Sequence, residues 1–198
     1  MHSSSTIELD EVAARVVAET QRWVEEIVLR HNFCPFAHRP FQQERIRYAV
    51  SQASEPEGVV EALMSELLRL HDYATETDSG GVETILLVTP NCLADFHDYN
   101  EFLNVVDRMI EQPDLDGVIQ VASFHPEYQF ADLDACDVRN YTNRSLYPMF
   151  HLILEESVAQ ARATHPGVHA IPQINMKLLE RLGLNEARRQ LHGCRKKA

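Results

Sequence analysis

Residues Gly117 to Ser157 read GVIQVASFHPEYQFADLDACDVRNYTNRSLYPMFHLILEES, and the fold turns on how that stretch divides. Val118 to Phe124 is an apolar run that stops at His125-Pro126, which predicts a buried strand ending in a turn. A polar loop follows, with Asp137, Asn140, Thr142, Asn143, Arg144 and Ser145 in close succession. From Pro148 onward, Phe150, Ile153, Leu154, Val158 and Ala161 recur at three- and four-residue steps, which predicts a helix over 148–164. Strand, polar loop and helix in that order can build a pocket at the carboxyl end of a sheet.

Upstream, Ile46, Tyr48 and Val50 alternate with Arg47 and Ala49, so 46–50 is predicted as a half-buried strand. Thr84 to Val88 is apolar and rich in branched residues, as a strand buried on both faces would be. Between them, Ser54-Glu55-Pro56-Glu57 matches a capping box with proline in the first turn, and Val60, Leu63, Leu67 and Leu70 form a helical stripe. Asp78-Ser79-Gly80-Gly81 reads as a turn or flexible link. Leu93, Phe96, Leu103, Val106 and Ile110 mark another helix, stopped by Pro113. The alternation of strand and helix predicts a single α/β domain over 7–191. Its core is a βαβαβ unit, with a small, mainly parallel three-stranded sheet flanked by helices.

Residues 9–31 are predicted as a long helix with Leu9, Val12, Val16, Trp23 and Ile27 on its core face, ended by Pro35. A loop is expected over 37–44. The helix over 148–164 is expected to end at His165-Pro166-Gly167, and a last helical stretch over 176–191 is interrupted by Gly183. Residues 1–6 and 192–198 are expected to be disordered.

The chain has 198 residues, 44% of them hydrophobic, which is enough apolar material for one buried core. Its net charge of −12 opposes phosphate backbones, so no nucleic acid is expected as a partner. No apolar run reaches the roughly 20 residues that span a bilayer, and the Ser-rich start lacks the features of a secretory signal. A cytoplasmic setting with no membrane partner is therefore expected. Cys34, Cys92, Cys136 and Cys194 have no CxxC spacing and are read as thiols.

His125 is the strongest candidate for chemistry, because a rigid strand end would fix it; the alternative is a histidine that only caps the strand. On a helix, His151 and Glu155 would share a face at the margin of the core. They could then act as a metal pair or as an acid/base carboxylate oriented by imidazole, or merely as a surface hydrogen bond. Asn143-Arg144-Ser145 before a helix N-terminus could hold an anion, or Arg144 could pair with Asp137. Cys34, beside proline at a helix end, could be a nucleophile or ligand. A helix C-terminus raises a thiol pKa, however, and cysteine is often simply buried. No GxGxxG, Walker loop, GxSxG or HExxH occurs.

Several longer motifs carry a family resemblance. They are Asn32-Phe33-Cys34-Pro35-Phe36-Ala37, Phe96-x-Asp98-Tyr99-Asn100-x-Phe102-Leu103 and Gln120-Val121-Ala122-Ser123-Phe124-His125-Pro126-x-Tyr128-x-Phe130. Asn140-x-Thr142-Asn143-Arg144-Ser145-x-Tyr147-Pro148 and His151-Leu152-x-x-Glu155-x-Ser157-Val158 follow. From about Trp23 to Gly183 the chain resembles the bacterial family known as domain of unknown function 1415. The resemblance implies no activity. It groups Cys34, Asp98, Asn100, Tyr128, Asp137, Asn140, Asn143 and Arg144 with His125, His151 and Glu155. Leu146, Leu154 and Cys136 depart from the family pattern, and the last weakens any paired carboxylate in the loop.

Two functions follow as expectations. One is an enzyme acting on a small anionic metabolite. In it His125, Glu155 and Cys34 are catalytic, Arg144, Asn143, Asn100 and Tyr128 bind substrate, and His125, His151 and Glu155 are ligands for a divalent metal such as zinc or iron. The other is a non-catalytic ligand- or protein-binding module.

Overall fold

Ile46–Val50 (β1) and Thr84–Val88 (β2) pair in parallel, with Ile46 opposite Thr84 and Val50 opposite Val88. Ile119–Phe124 (β3) pairs with neither of them. Met149–Leu154 (β4) enters between β2 and β3 and pairs antiparallel with both, giving the order β1-β2-β4-β3. Strands β1, β2 and β3 thus share a direction, and β4 opposes it. The structure is a computed structural model that describes residues 3–75, 81–112, 114–164 and 167–195. The turn at Asp78-Ser79-Gly80, the stop at Pro113 and the break at His165-Pro166 lie outside the described residues.

Two expectations are corrected together here. The sheet is four-stranded and mixed, and 148–164 is not one helix but β4 followed by a helix over Glu155–Thr164. Met-Phe-His-Leu-Ile-Leu is too short and too uniformly apolar for periodicity to separate strand from helix. As a central strand it buries both faces. Phe150 and Leu152 enter one core, and Met149 enters the other.

Helices close both faces of the sheet. Those in chain order are α1 (Ser3–Trp23), α2 (His38–Gln42), α3 (Pro56–Thr75), α4 (Phe96–Ile110), α5 (Glu155–Thr164), α6 (Ile171–Leu182) and α7 (Leu184–Gly193). On one face, Leu63, Leu67 and Leu70 of α3 and Tyr99 and Val106 of α4 bury against Ile85, Leu87, Phe150 and Leu152. Each fully buried leucine stabilises by roughly 1.5–3 kcal/mol. On the other face, Val16 and Trp23 of α1, Leu179 of α6 and Leu191 of α7 bury against Leu86, Val88 and Met149.

Local chemistry sets the element ends. Asp95 caps α4 by accepting from the His97 and Asp98 amides at 2.8 and 3.2 Å. Gly183, at φ 80°, separates α6 from α7. α1 continues through a π turn over Val24–Leu29, and a short α2 stands where a loop was expected. Leu9 is 50% exposed, so it is not part of the core stripe. α1 starts at Ser3, and α7 is held at its end by the Arg22 guanidinium donating to the Cys194 carbonyl at 2.8 Å. Among the described residues no helix is long and apolar enough to cross a membrane.

Candidate functional site

His125 follows the last residue of β3 and is fully buried. Its Nδ1 accepts the Glu127 amide at 3.0 Å, so the ring proton sits on Nε2, which donates to the Leu93 carbonyl at 3.0 Å. The rings of Phe96 and Tyr99 pack at 5.3 and 5.0 Å from it. Burial lowers its pKa, opposed by the Leu93 carbonyl and the Glu127 charge. Leu93 itself has φ 59°, a left-handed conformation that costs leucine about 1–2 kcal/mol. Both ring nitrogens of His125 are thus engaged in holding a loop and a strained turn together.

The loop over 125–145 is closed by the same kind of contact. The His125 amide donates to the Asn143 carbonyl at 3.2 Å, and the Ser145 amide donates back to the His125 carbonyl at 3.3 Å. Asn143 Nδ2 donates to the Ser123 carbonyl at 3.1 Å. Arg144 reaches across the loop, with Nε to the Tyr128 carbonyl at 3.2 Å and a terminal nitrogen to the Ala135 carbonyl at 2.7 Å. Its guanidinium also lies 4.8 Å from the Tyr141 ring centroid. Asn140 accepts the Phe130 amide and donates to the Asp134 carbonyl. Asp137 caps its turn and pairs with Arg139, not Arg144, and Arg139 holds its carboxyl down at about 2.

His151 lies on β4, where its Nε2 is 2.7 Å from the Thr84 hydroxyl. That hydroxyl donates to the Leu152 carbonyl at 2.6 Å, so Nε2 must be the donor toward Thr84. Burial pushes the His151 pKa down to about 4. Glu155 is the first residue of α5, and its amide bonds to Val118 at the amino end of β3. His125 is at the other end of that strand. At about 3.3 Å per residue, Val118 and His125 are about 23 Å apart. The expected helical His151–Glu155 pair is therefore absent, because the two residues fall on different elements. The proposed metal trio His125, His151 and Glu155 does not gather. Among the described residues no three His, Cys, Asp or Glu side chains are grouped to hold a metal ion. The donor set does not fit zinc or iron.

Tyr128 packs between Phe96 and Phe130, at 5.4 and 5.0 Å. Asn100 is exposed on α4. Cys34 precedes the tight turn Pro35–Ala37, and burial raises its thiol pKa against the pull of the Phe36 and Ala37 amides. A void beside Arg144, His31 and Gln190 has about 10 Å³, enough for about one water and no metabolite.

Three structural residues escaped the sequence reading. Tyr99 is fully buried, and its hydroxyl donates to the Met149 carbonyl at 2.8 Å and accepts the Phe124 amide at 3.2 Å, tying β4 to β3. Thr84 links β2 to β4. Glu19 is buried and accepts the Tyr147 hydroxyl at 2.6 Å. Burial, with Glu19, pushes the Tyr147 pKa up to about 12. A carboxylate among Val16 and Trp23, at helical spacing on the core stripe of α1, was a signal for it.

A different place has room. A groove of about 330 Å³ runs along β1, the outer strand of the sheet, between Ala13, Ala14 and Val17 of α1 and Ala62, Ser65 and Glu66 of α3. Tyr48 and Val50 form part of its floor. Arg47 makes a two-pronged pair with Glu66 at 2.7 and 3.0 Å at its side.

The class defined by this architecture is a mixed α/β protein whose long polar loop locks an antiparallel strand into a parallel frame. Within that class, the family model described as a protein of unknown function (DUF1415) matches residues 15–189, and the chain belongs to that family. No match to the chain was found among curated proteins or among solved structures.

Proposed function

We propose that this protein is a non-catalytic module that binds another polypeptide in the cytoplasm, through the groove beside β1. The observation that carries this reading is a contrast. His125, His151 and Arg144 are each satisfied by neighbours of their own, whereas the 330 Å³ groove lies open on the edge of the sheet. An outer strand presents backbone groups that no neighbour uses, a ready template for a partner chain. The net charge of −12 favours a protein partner over nucleic acid.

The alternative is an enzyme for a small anionic metabolite built on His125, His151, Glu155 and Cys34. It has less support, because a general base or metal ligand must reach the same reacting atom as its partners. Incubating the purified chain with a cell metabolite extract tests the choice. Changes no larger than the amount of protein added are expected. Turnover of any metabolite beyond that amount would remove the binding-module reading. A photo-crosslinking residue at Ala14 should capture a discrete partner, and the same residue at exposed Glu101 should not.

A further inference from the structure

Resting on that reading, we infer that the partner contributes a short extended segment with basic ends, which pairs with the open edge of β1 as a fifth strand. Three features point to it. The first is backbone direction. The Ser51 amide donates to the Val88 carbonyl at 2.9 Å, so the odd-numbered residues of β1 face β2. Successive residues of a strand alternate. The amides and carbonyls of Ile46, Tyr48 and Val50 therefore point away from β2, into the groove.

The second feature is an unmet polar group within this wall. The Tyr48 hydroxyl is shut off from water and has no hydrogen-bond partner among the described residues. A buried hydroxyl without a partner costs about 1–3 kcal/mol, and a docked backbone carbonyl meets it only once the Tyr48 ring turns toward the groove. The small side chains of Ala13, Ala14, Ala62 and Ser65 keep the walls apart, so an extended chain can enter. Leu9 and Leu68, one turn from Ala13 and Ser65, are 50% and 49% exposed and extend the apolar flanks.

The third feature is charge, which selects the occupant. Asp10 lies one turn before Ala13 and Ala14, and Glu61 one turn before Ser65, and both are exposed. With −12 on the chain, a basic segment is attracted, whereas a second copy would bring the same acids and another −12. The occupant is therefore a basic-ended strand of a different protein.

The test uses the full chain, isotopically labelled, and the blocked peptide KVTVTVK. Saturable shifts of the Tyr48 and Val50 amide signals are expected. The acidic peptide EVTVTVE should bind at least about tenfold more weakly, and a KVTVTVK N-methylated at alternate residues should not bind. Ala14→Trp fills one wall and Ser65→Trp the other; both sites are exposed on helices, and each variant should keep its fold by circular dichroism while losing the shifts. Absence of shifts with KVTVTVK overturns the proposal, and so does equal binding of the methylated peptide. Dimerisation of the unmodified protein that Ala14→Trp abolishes also overturns it, because the occupant is then a second copy. A peptide failure accompanied by a specific crosslink at Ala14 sinks the basic strand alone. Metabolite turnover sinks the binding-module reading itself.

Discussion

The Thr84 hydroxyl stands 2.7 Å from His151 Nε2 and passes its own proton to the Leu152 carbonyl, so one side chain of β2 fastens two successive residues of β4. Burial keeps His151 neutral inside the fold, with its pKa at about 4 against about 6.5 in an unfolded chain. Above pH 6.5 both states hold neutral imidazole, and the group adds no slope. As pH falls from about 6.5 toward 4, the unfolded chain takes up the proton first and stability is lost, up to about 3 kcal/mol. Burial of His125 acts in the same direction. Urea titrations at pH 7, 6, 5 and 4.5 should show the decline, and His151→Gln should flatten part of it. An unchanged slope in that variant would mean that His151 is not the group responsible. Asp137 acts in a lower window: its carboxyl, held at about 2, contributes above its usual value near 3.8 and loses that contribution as pH falls toward 2.

His125→Ala removes two hydrogen bonds and the ring between Phe96 and Tyr99, and leaves the Leu93 carbonyl and Glu127 amide without partners. A loss of about 3 kcal/mol is expected by chemical denaturation. A change under about 0.5 kcal/mol, the range of ordinary surface substitutions, would show that His125 does not hold the loop and the Leu93 turn together.

Arg144→Met keeps the length of the side chain and removes its donors. The Tyr128 and Ala135 carbonyls then lose their partner, and the loop between them should open locally. Limited proteolysis should cut within 126–137 about tenfold faster than in the unmodified chain, because cleavage follows the population of the open form. Equal cutting rates would show that the guanidinium does not secure the loop.

Thiol labelling should single out Cys136, which is exposed, while Cys92 and Cys194 are buried and Cys34 is half-buried. Burial raises the pKa of Cys34 and Cys92, and pushes that of Cys194 up to about 11, so little thiolate is available at neutral pH. One fast-reacting thiol is expected at pH 7.5, with the other three reacting as the protein unfolds. Fast labelling at Cys34 would restore the case for a nucleophile there.

Strands β1, β2 and β3 and helices α3 and α4 were readable because each carries a local pattern: alternation at Ile46, Tyr48 and Val50, an unbroken apolar run at Thr84–Val88, and three- and four-residue steps at Leu63, Leu67 and Leu70. β4 was not readable. Its six apolar-rich residues fit a helix as well as a strand, and the choice was made by the slot between β2 and β3, which no local pattern reveals. The candidate site suffered from the same gap. His151 and Glu155 share a face only if both are helical, and the strand assignment separates them.

The polar residues of the 125–145 loop stand close together in the sequence, but residue type alone does not say whether a histidine or arginine faces a ligand or its own backbone. That depends on which carbonyls and amides the chain brings within 3 Å. By itself, the amino-acid order settled β1, β2, β3, α3 and α4, the acid charge and the family, though not the short α2 that stands where a loop was expected. The tertiary fold alone decided the insertion of β4, the capture of His125 and Arg144 by backbone partners, and the open edge of β1. Local patterns follow from contacts a few residues apart, whereas those three features arise from contacts between segments distant along the chain.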